Sequence, residues 1–334
     1  MIPLVTVIVA VYNISHYLRE ALGSVINQTF RNLEIIIVDD GSTDGSETIC
    51  DEYANDPRIK VVHQRNMGLG AARNAGIDMM TGKYVAFLDG DDAFLPDTVR
   101  CMVEYSEKND ADIVVCGYDE VRTESSLSKS ILRKRRGISF NHAMMLCSAE
   151  ALNLLVAGKI NCSAWNKLYR SNLWNDLRFP EGCVYEDTQV ILRAIEKSSR
   201  VMLIPEKLVL YRRRKGSITS TQTEEHIRDY IKAIQIAEKY AKDNSPEVIK
   251  DKNRMLLIEN NARALSIKYA NLLNNSDDNL TETLLKKEAE RRWDSLNGQY
   301  TQIRSRIVHF LFLHAVWLIV PLRFVWKILN TIIR

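Results

Sequence analysis

The first 120 residues alternate between short apolar runs and longer segments with a single apolar stripe. Val5–Val11 is apolar apart from Thr6 and rich in β-branched side chains, which predicts a buried strand. Across Ser15–Asn27, the positions Tyr17, Leu18, Ala21, Leu22, Val25 and Ile26 recur at helical spacing, so an amphipathic helix is expected. Glu34–Val38 predicts a second strand, Ser46–Ala54 a helix and Arg58–His63 a third strand. Leu69–Met80 reads as a helix ended by Gly82, and Tyr84–Leu88 as a strand. Pro96–Asn109 reads as a helix opened by proline, and Ile113–Cys116 as another strand. Strands apolar throughout, separated by helices, predict an α/β fold with a mainly parallel sheet covered on both faces. Its crossovers should be right-handed.

Beyond Cys116 the alternation stops. Asp119–Ser139 is polar, carries Arg133-Lys134-Arg135-Arg136 and is expected to be a surface loop. A mixed region follows to about residue 220, and Thr223–Arg292 shows long helical stripes with Pro246 as an interruption. The end differs again: Ile307–Leu322 has no formal charge. As a helix it would span about 24 Å, short of a bilayer core of roughly 30 Å, and Pro321 should kink it. Arg304, Arg306, Arg323, Lys327 and Arg334 flank it, with Phe310, Phe312, Trp317, Phe324 and Trp326 interspersed. Basic residues beside Trp and Phe suit the headgroup layer of an anionic membrane. Residues 303–334 are therefore expected to be an apolar-basic, amphipathic tail on a membrane surface, with a core or oligomer contact as the alternative. The expected division is 1–220, with halves 1–117 and 118–220, then a helical region 221–302, then the tail. Met1–Val11 lacks a basic n-region and a small-residue cleavage site, so a strand is expected there rather than a secretory leader.

Composition narrows the class. The 334 residues are 46% hydrophobic and 26% charged, which excludes a disordered or fibrous chain. A net charge of +3 is too small to imply nucleic-acid binding. The six cysteines form no CxxC pair, so they point to a reduced, cytoplasmic protein rather than to a zinc ribbon or a disulfide framework. No GxGxxG follows the first strand, and no GxxxxGK[ST], HExxH or GxSxG occurs, which removes the main support for dinucleotide binding, P-loop hydrolysis and the corresponding hydrolases. His63, His142 and His226 are isolated in sequence and read as structural.

Ligands of open parallel sheets bind beyond the carboxyl ends of the strands. At those points stand Tyr12-Asn13, Asp39-Asp40-Gly41-Ser42, Gln64 to Gly70 leading into Arg73, and Asp89-Gly90-Asp91-Asp92. Carboxylates packed this closely repel one another unless protons or a cation intervene. Their hard oxygens suit Mg²⁺ or Mn²⁺, which use one or two protein carboxylates and fill the remaining positions with water and phosphate. The competing reading is an acidic turn before the helix at Pro96.

Four segments, VTVIVAVYN (Val5–Asn13), IIIVDDGSTDGS (Ile35–Ser46), NMGLGAARNAGI (Asn66–Ile77) and YVAFLDGDD (Tyr84–Asp92), resemble in order and spacing the family 2 glycosyltransferases of GT-A fold. AWNKLYR (Ala164–Arg170), YEDTQV (Tyr185–Val190) and YRRRKGSIT (Tyr211–Thr219) continue the resemblance more loosely. The resemblance implies inverting transfer of a sugar from a nucleotide donor, UDP by family habit, onto a glycan acceptor. It implies that Val11 and Tyr12 border the base, that Asp39 or Asp40 accepts a bond from it, and that Arg73 lies near the diphosphate. Asp89, Gly90 and Asp91 would meet the donor, with Asp91, then Asp89, holding Mn²⁺ or Mg²⁺. Asp187 would be the base, with a helix cap as its alternative role, beside Glu186 and Trp165 at the acceptor, with a place in the core as the alternative for Trp165. Arg212 or Arg214, with Arg213 and Lys215 as neighbours, would close over the diphosphate. The multi-spanning synthases of the family carry QxxRW and several long apolar helices, both absent here. That favours single addition to a lipid-linked acceptor in surface polysaccharide synthesis, at the inner face of the cell membrane. The rivals are a soluble or protein acceptor with the tail serving homo-oligomerisation, a non-enzymatic assembly partner, and a nucleotidyltransferase. The last would require a Gly-rich basic loop where Ala10-Val11-Tyr12-Asn13 stands.

Overall fold

The computed structural model describes residues 3–122 and 139–319, apart from 215, 218–222, 246, 274–278, 301, 315, 317 and 318. Arg133 to Arg136, Lys215 and everything after Ile319 lie outside the described residues. The described residues fall into two compact units. One gathers those of Met1–Leu152 and Cys162–Thr221, the other those of Asn153–Asn161 and Gln222–Arg334.

In the first unit, β1 (Val5–Val11) pairs in parallel with both β2 (Leu33–Asp39) and β4 (Tyr84–Asp89), and β3 (Ile59–His63) pairs in parallel with β2. The register sets Val11 opposite Asp39, Ala10 opposite Asp89, and Asp39 opposite His63. The carboxyl ends of four strands are thus level, and their following loops meet at one edge. The intervening helices are α1 (Ser15–Ile26), α2 (Ser46–Tyr53), α3 (Leu69–Met79) and α4 (Thr98–Asn109). Both faces of the sheet are covered. Val5, Val7, Val9, Ile35 and Ile37 pack with Leu18 and Leu22 of α1, Ile49 of α2 and Met102 of α4. On the opposite face Ile8 meets α3, so closely that a Cβ on Gly76 would lie 2.5 Å from Ile8 Cγ2. The β-branched runs form strands because both faces of each pleat bury apolar surface.

The rest of the sheet departs from simple alternation. β8 (Lys167–Arg170) inserts antiparallel between β4 and β6 (Ile113–Arg122). The long β9 (Arg200–Arg213) runs parallel to β6, and its other side pairs antiparallel with β5 (Ala93–Phe94) and β7 (Met144–Cys147). The expected loop from Asp119 is therefore strand as far as Arg122, because β9 supplies its hydrogen bonds. Phe87, Tyr169, Trp174 and Phe179 form an aromatic cluster with ring centroids 5.0 to 5.9 Å apart. The remaining helices are α5 (Ser148–Val156) and α6 (Asp187–Lys197).

The second unit is helical: α7 (Glu224–Asp243), α8 (Asp251–Leu273), α9 (Asn279–Ser295) and α10 (Ile303–His314). Thr223 caps α7, its hydroxyl accepting from His226 N at 3.3 Å. Its core joins Ile231, Leu265, Tyr269, Leu285 and Trp293 to Val308, Leu311 and Phe312 of α10. The start of the expected surface tail thus contributes to a core, while Ile307, Phe310 and Leu313 on the same helix are exposed. Among the described residues no helix is long and apolar enough to cross a membrane.

Candidate active site

All the predicted site residues lie in the first unit. At the β1 end, Val11 is buried and its carbonyl accepts from Asp40 N at 2.9 Å. Asn13 takes a left-handed φ of 48°, which asparagine tolerates better than most residues. It locks this loop to the next: its N–H donates to Ser42 Oγ at 3.0 Å and its Oδ1 accepts from Thr43 N at 2.8 Å. Tyr12, between these anchors, is 47% exposed. The two aspartates after β2 are used differently. Asp40 accepts from Gln64 Nε2, Met67 N and Gly68 N at 2.7, 2.9 and 2.8 Å, which pins the 64–68 loop. Asp39 accepts from Ser42 N at 3.1 Å, and its Oδ2 lies 2.9 Å from His63 Nδ1. His63 is therefore not the isolated residue its sequence context predicted; its register on β3 is what brings it to Asp39.

At the β4 end, the Asp89 carboxylate accepts from Arg73 Nη2 at 2.8 Å, and Arg73 Nη1 bonds Glu186. Arg73 projects from α3 and is 2% exposed, so one buried guanidinium joins two carboxylates far apart in the chain. Burial opposes its charge, but Asp89, Glu186 and Asp187 together raise its pKa. Because Glu186 turns to Arg73, it makes no side-chain cap for α6. Its neighbour Asp187 opens that helix. Burial, with Glu186 adding to it and Arg73 opposing, pushes the Asp187 carboxyl from 3.8 up to about 7. Tyr185, just before the pair, holds a φ of 65°, a strained backbone for a non-glycine residue and one met at functional sites.

The acidic turn is shaped by close approach to β1. Gly90 N donates to Ala10 O at 3.1 Å, and a Cβ there would stand 2.2 Å from Ile14 Cδ1. Asp91 accepts from Arg214 Nε at 2.8 Å, and burial raises its pKa against that arginine. Asp92 is buried; its Oδ1 accepts from Arg212 N at 2.7 Å, while Oδ2 has no hydrogen-bond partner among the described residues. Burial, then Asp91 and Asp89, push its pKa well above the usual carboxylate range.

Two expectations are corrected. Arg212 is 2% exposed, with Nε on Asp91 O at 2.9 Å, Nη2 on Glu20 at 2.6 Å and its guanidinium 4.5 Å from the centre of the Tyr17 ring. It braces the acidic turn from inside and is not offered to a diphosphate. Arg214, at the rim, keeps contact with Asp91, and Arg213 pairs with Glu120 at 3.0 Å. Trp165 is a core residue rather than an open platform for an acceptor sugar. Its ring stacks on Tyr211 at 5.2 Å and meets the edge of Tyr118 at 4.7 Å. The alternation of β6 and β9 side chains puts both tyrosines against it, which no local pattern reveals.

Residues 6–177 match the model of glycosyl transferase family 2. The chain belongs to this family. GlyA of Streptococcus pneumoniae serotype 4 is 37% identical over 236 residues, which is 69% of this chain and 33% of that protein. Putative glycosyltransferase EpsH of Bacillus subtilis is 40% identical over 174 residues, 51% of this chain and 48% of that protein. GlyG of the same Streptococcus is 34% identical over 66% of this chain and 75% of its own length. The chain thus spans a third to a half of GlyA and EpsH, and more of GlyG. Among solved structures, residues 1–349 of S. aureus TarS in complex with UDP-GlcNAc superpose with a TM-score of 0.67 at 21% identity, over 88% of this chain and 83% of that one. Mannosyltransferase PcManGT from Pyrobaculum calidifontis, in complex with GDP-Man and Mn²⁺, gives 0.57 at 16% identity, over 98% and 88%. The chain has the GT-A fold that these structures share.

The donor set fits a divalent ion. Asp89 and Asp91 stand two residues apart on one turn, and each meets its arginine through a single carboxylate oxygen, Oδ1 of Asp89 and Oδ2 of Asp91. No group of three or more His, Cys, Asp and Glu able to hold a metal occurs among the described residues. A Mg²⁺ or Mn²⁺ ion carried by one or two carboxylates, water and phosphate needs none. The site thus presents an exposed Tyr12 ring, the Asp89 and Asp91 carboxylates and, across the Arg73 bridge, a carboxylate of raised pKa.

Proposed function

We propose that this transferase moves a sugar, with inversion, from a UDP-sugar to a hydroxyl of a lipid-linked glycan during surface polysaccharide synthesis. The observation that carries the reading is the Arg73 bridge. It ties the carboxylate end of β4, where a donor diphosphate would lie, to the start of α6, where Asp187 stands with a pKa raised to about 7. A base of this pKa can take the acceptor proton near neutral pH, whereas an ordinary aspartate is too weak. Inversion asks that base to work opposite the leaving group, in keeping with two carboxylate sets held apart by one arginine.

Each remaining residue has a task. Tyr12 offers its exposed ring to the base. Asp39 accepts from the base in preference to Asp40, because Asp40 already receives three donors and Asp39 only two of the roughly four a carboxylate can accept. Asp91 and Asp89 would hold Mn²⁺ or Mg²⁺, which when bound neutralises charge on the departing nucleotide diphosphate. Arg214 sits at the rim of that site and can exchange Asp91 for phosphate oxygens. Glu186 stays with Arg73 and shapes the acceptor side. The exposed face of α10, with Ile307, Phe310 and Leu313, would rest on the cytoplasmic face of the membrane, where the donor and such acceptors meet.

The test is calorimetry of UDP with and without Mn²⁺, on wild type and on Asp91→Ala, followed by a panel of UDP-sugars. Binding that needs Mn²⁺ and is lost in the variant supports the reading. Wild type that ignores UDP but binds GDP, CMP or dTDP would replace the donor.

A further inference from the structure

We infer that His63 is a positioning residue for the nucleotide base: held as an imidazolium between Asp39 and Asp51, it orients the Asp39 carboxylate and makes donor affinity depend on pH. The inference rests on the reading of Asp39 as the base contact. Its ground is geometric. His63 Nδ1 is 2.9 Å from Asp39 Oδ2, and Nε2 is 3.0 Å from Asp51 Oδ1. A neutral imidazole has one N–H and one lone pair, so it would aim the lone pair at one of the two carboxylates. Only the protonated ring donates to both. The two bonds, to Asp39 and then Asp51, accordingly raise the His63 pKa, with partial burial opposing them. Cys50 of α2 also lies by these carboxylates, with Glu47 of the same helix near it. Burial, with Asp39 and Asp51 adding to it, pushes its thiol up to about 12, so it stays neutral and places no charge against the ring.

The arrangement suits a base-reading carboxylate. Asp39 is buried, so its orientation is set by its protein partners. Ser42 N holds one oxygen and the imidazolium the other, leaving lone pairs to accept the ring N–H of a uracil. A charge-assisted bond is the stronger of the two, so it sets the carboxylate plane. When the ring loses its proton, a single N–H remains for two carboxylates, and that hold weakens. The sign follows: donor affinity is highest below the His63 pKa and falls as pH rises through it. By reciprocity, bound UDP must raise that pKa.

The experiment pairs histidine NMR titration of the full chain, with and without UDP, with UDP calorimetry across the same pH range. His63→Gln assigns the signal and keeps one donor for Asp39 without a titrating charge. It also carries the same titration of the UDP phosphates, so the difference from wild type isolates the ring. Wild type should bind UDP about fivefold more weakly above the His63 pKa than below it, a modest change because the ring is partly solvated. His63→Gln should bind without this alkaline limb. Asp51→Asn, a surface change that spares Asp39, should move the limb to lower pH. The donor KM should follow these shifts, while kcat at saturating donor, compared at each pH, stays the same in wild type, His63→Gln and Asp51→Asn. UDP that binds wild type without moving the His63 signal, or an unchanged limb in His63→Gln, overturns the inference and leaves the donor site standing. Wild type that binds no UDP at any pH removes the uridine reading and this link together.

Discussion

Asp187 is asked to be unstable in order to be useful. Its carboxyl is raised from 3.8 to about 7 by burial and by Glu186. A carboxylate raised in this way is still protonated in the folded state where the unfolded chain has already released its proton. Stability should therefore fall as pH rises from about 4 to about 7, and level off above. Activity should rise over the same upper range, since the base works ionised. Asp187→Asn should cut kcat by about 10²- to 10⁴-fold, the usual share of a general base, while raising the melting temperature at pH 8. A variant with lower melting temperature and intact kcat would mean that Asp187 is structural. Arg73 has the opposite character. Arg73→Ala strands Glu186 in a buried setting and should cost about 3–5 kcal/mol in denaturant unfolding, with donor binding lost as well. Glu186 was legible as one of two adjacent acids. Its partner was not, because Arg73 lies in a different helix and only the folded chain brings them together.

At the scale of elements, the helices divide by how closely they press on the sheet. α3 touches β1 through Gly76, where a methyl group would lie 2.5 Å from Ile8 Cγ2, whereas Gly23 of α1 has nothing within 4 Å. Alanine in a helix gains about 0.5–1 kcal/mol over glycine, and overpacking costs about 1–3 kcal/mol. Gly23→Ala should therefore raise the melting temperature and Gly76→Ala lower it, although both make the same change in the same kind of element. Equal shifts in thermal unfolding would refute the packing account. The strands and helices of the first 116 residues were readable because each strand is a short apolar run and each helix carries a stripe. The insertion of β8 between β4 and β6 was not readable. KLYR is too short and too mixed to announce a central strand, and its place depends on edges made by residues 84–86 and 113–115.

For the whole molecule, the C-terminal helix decides how membrane attachment can be tested. Val308, Leu311 and Phe312 are part of the helical unit's core, so removing the tail removes core as well. Phe310 and Leu313, 62% and 59% exposed, can be changed without opening that core. Phe310→Ser with Leu313→Ser should leave the melting temperature within about 1–2 °C, since surface changes cost little. The same variant should sediment less with anionic vesicles. Undiminished sedimentation would assign attachment to another surface. Light scattering of wild type and variant separates this from self-association, in which the variant would lose mass rather than vesicle binding.

The sequence by itself determined the sheet-and-helix alternation, the strand ends at which polar residues collect, and the acidic turn after β4. Each of these is written locally: in runs apolar on both faces, in helical stripes, and in side chains that stand where a strand stops. The folded chain alone decided how those residues are used. Strand register sets His63 beside Asp39. Three donors from the 64–68 loop occupy Asp40, Glu20 and the Asp91 carbonyl draw Arg212 inward, and Tyr211 and Tyr118 enclose Trp165. Each outcome depends on which partner reaches a charge or a ring first once distant segments meet. A one-dimensional pattern carries residue type and spacing, but not that competition.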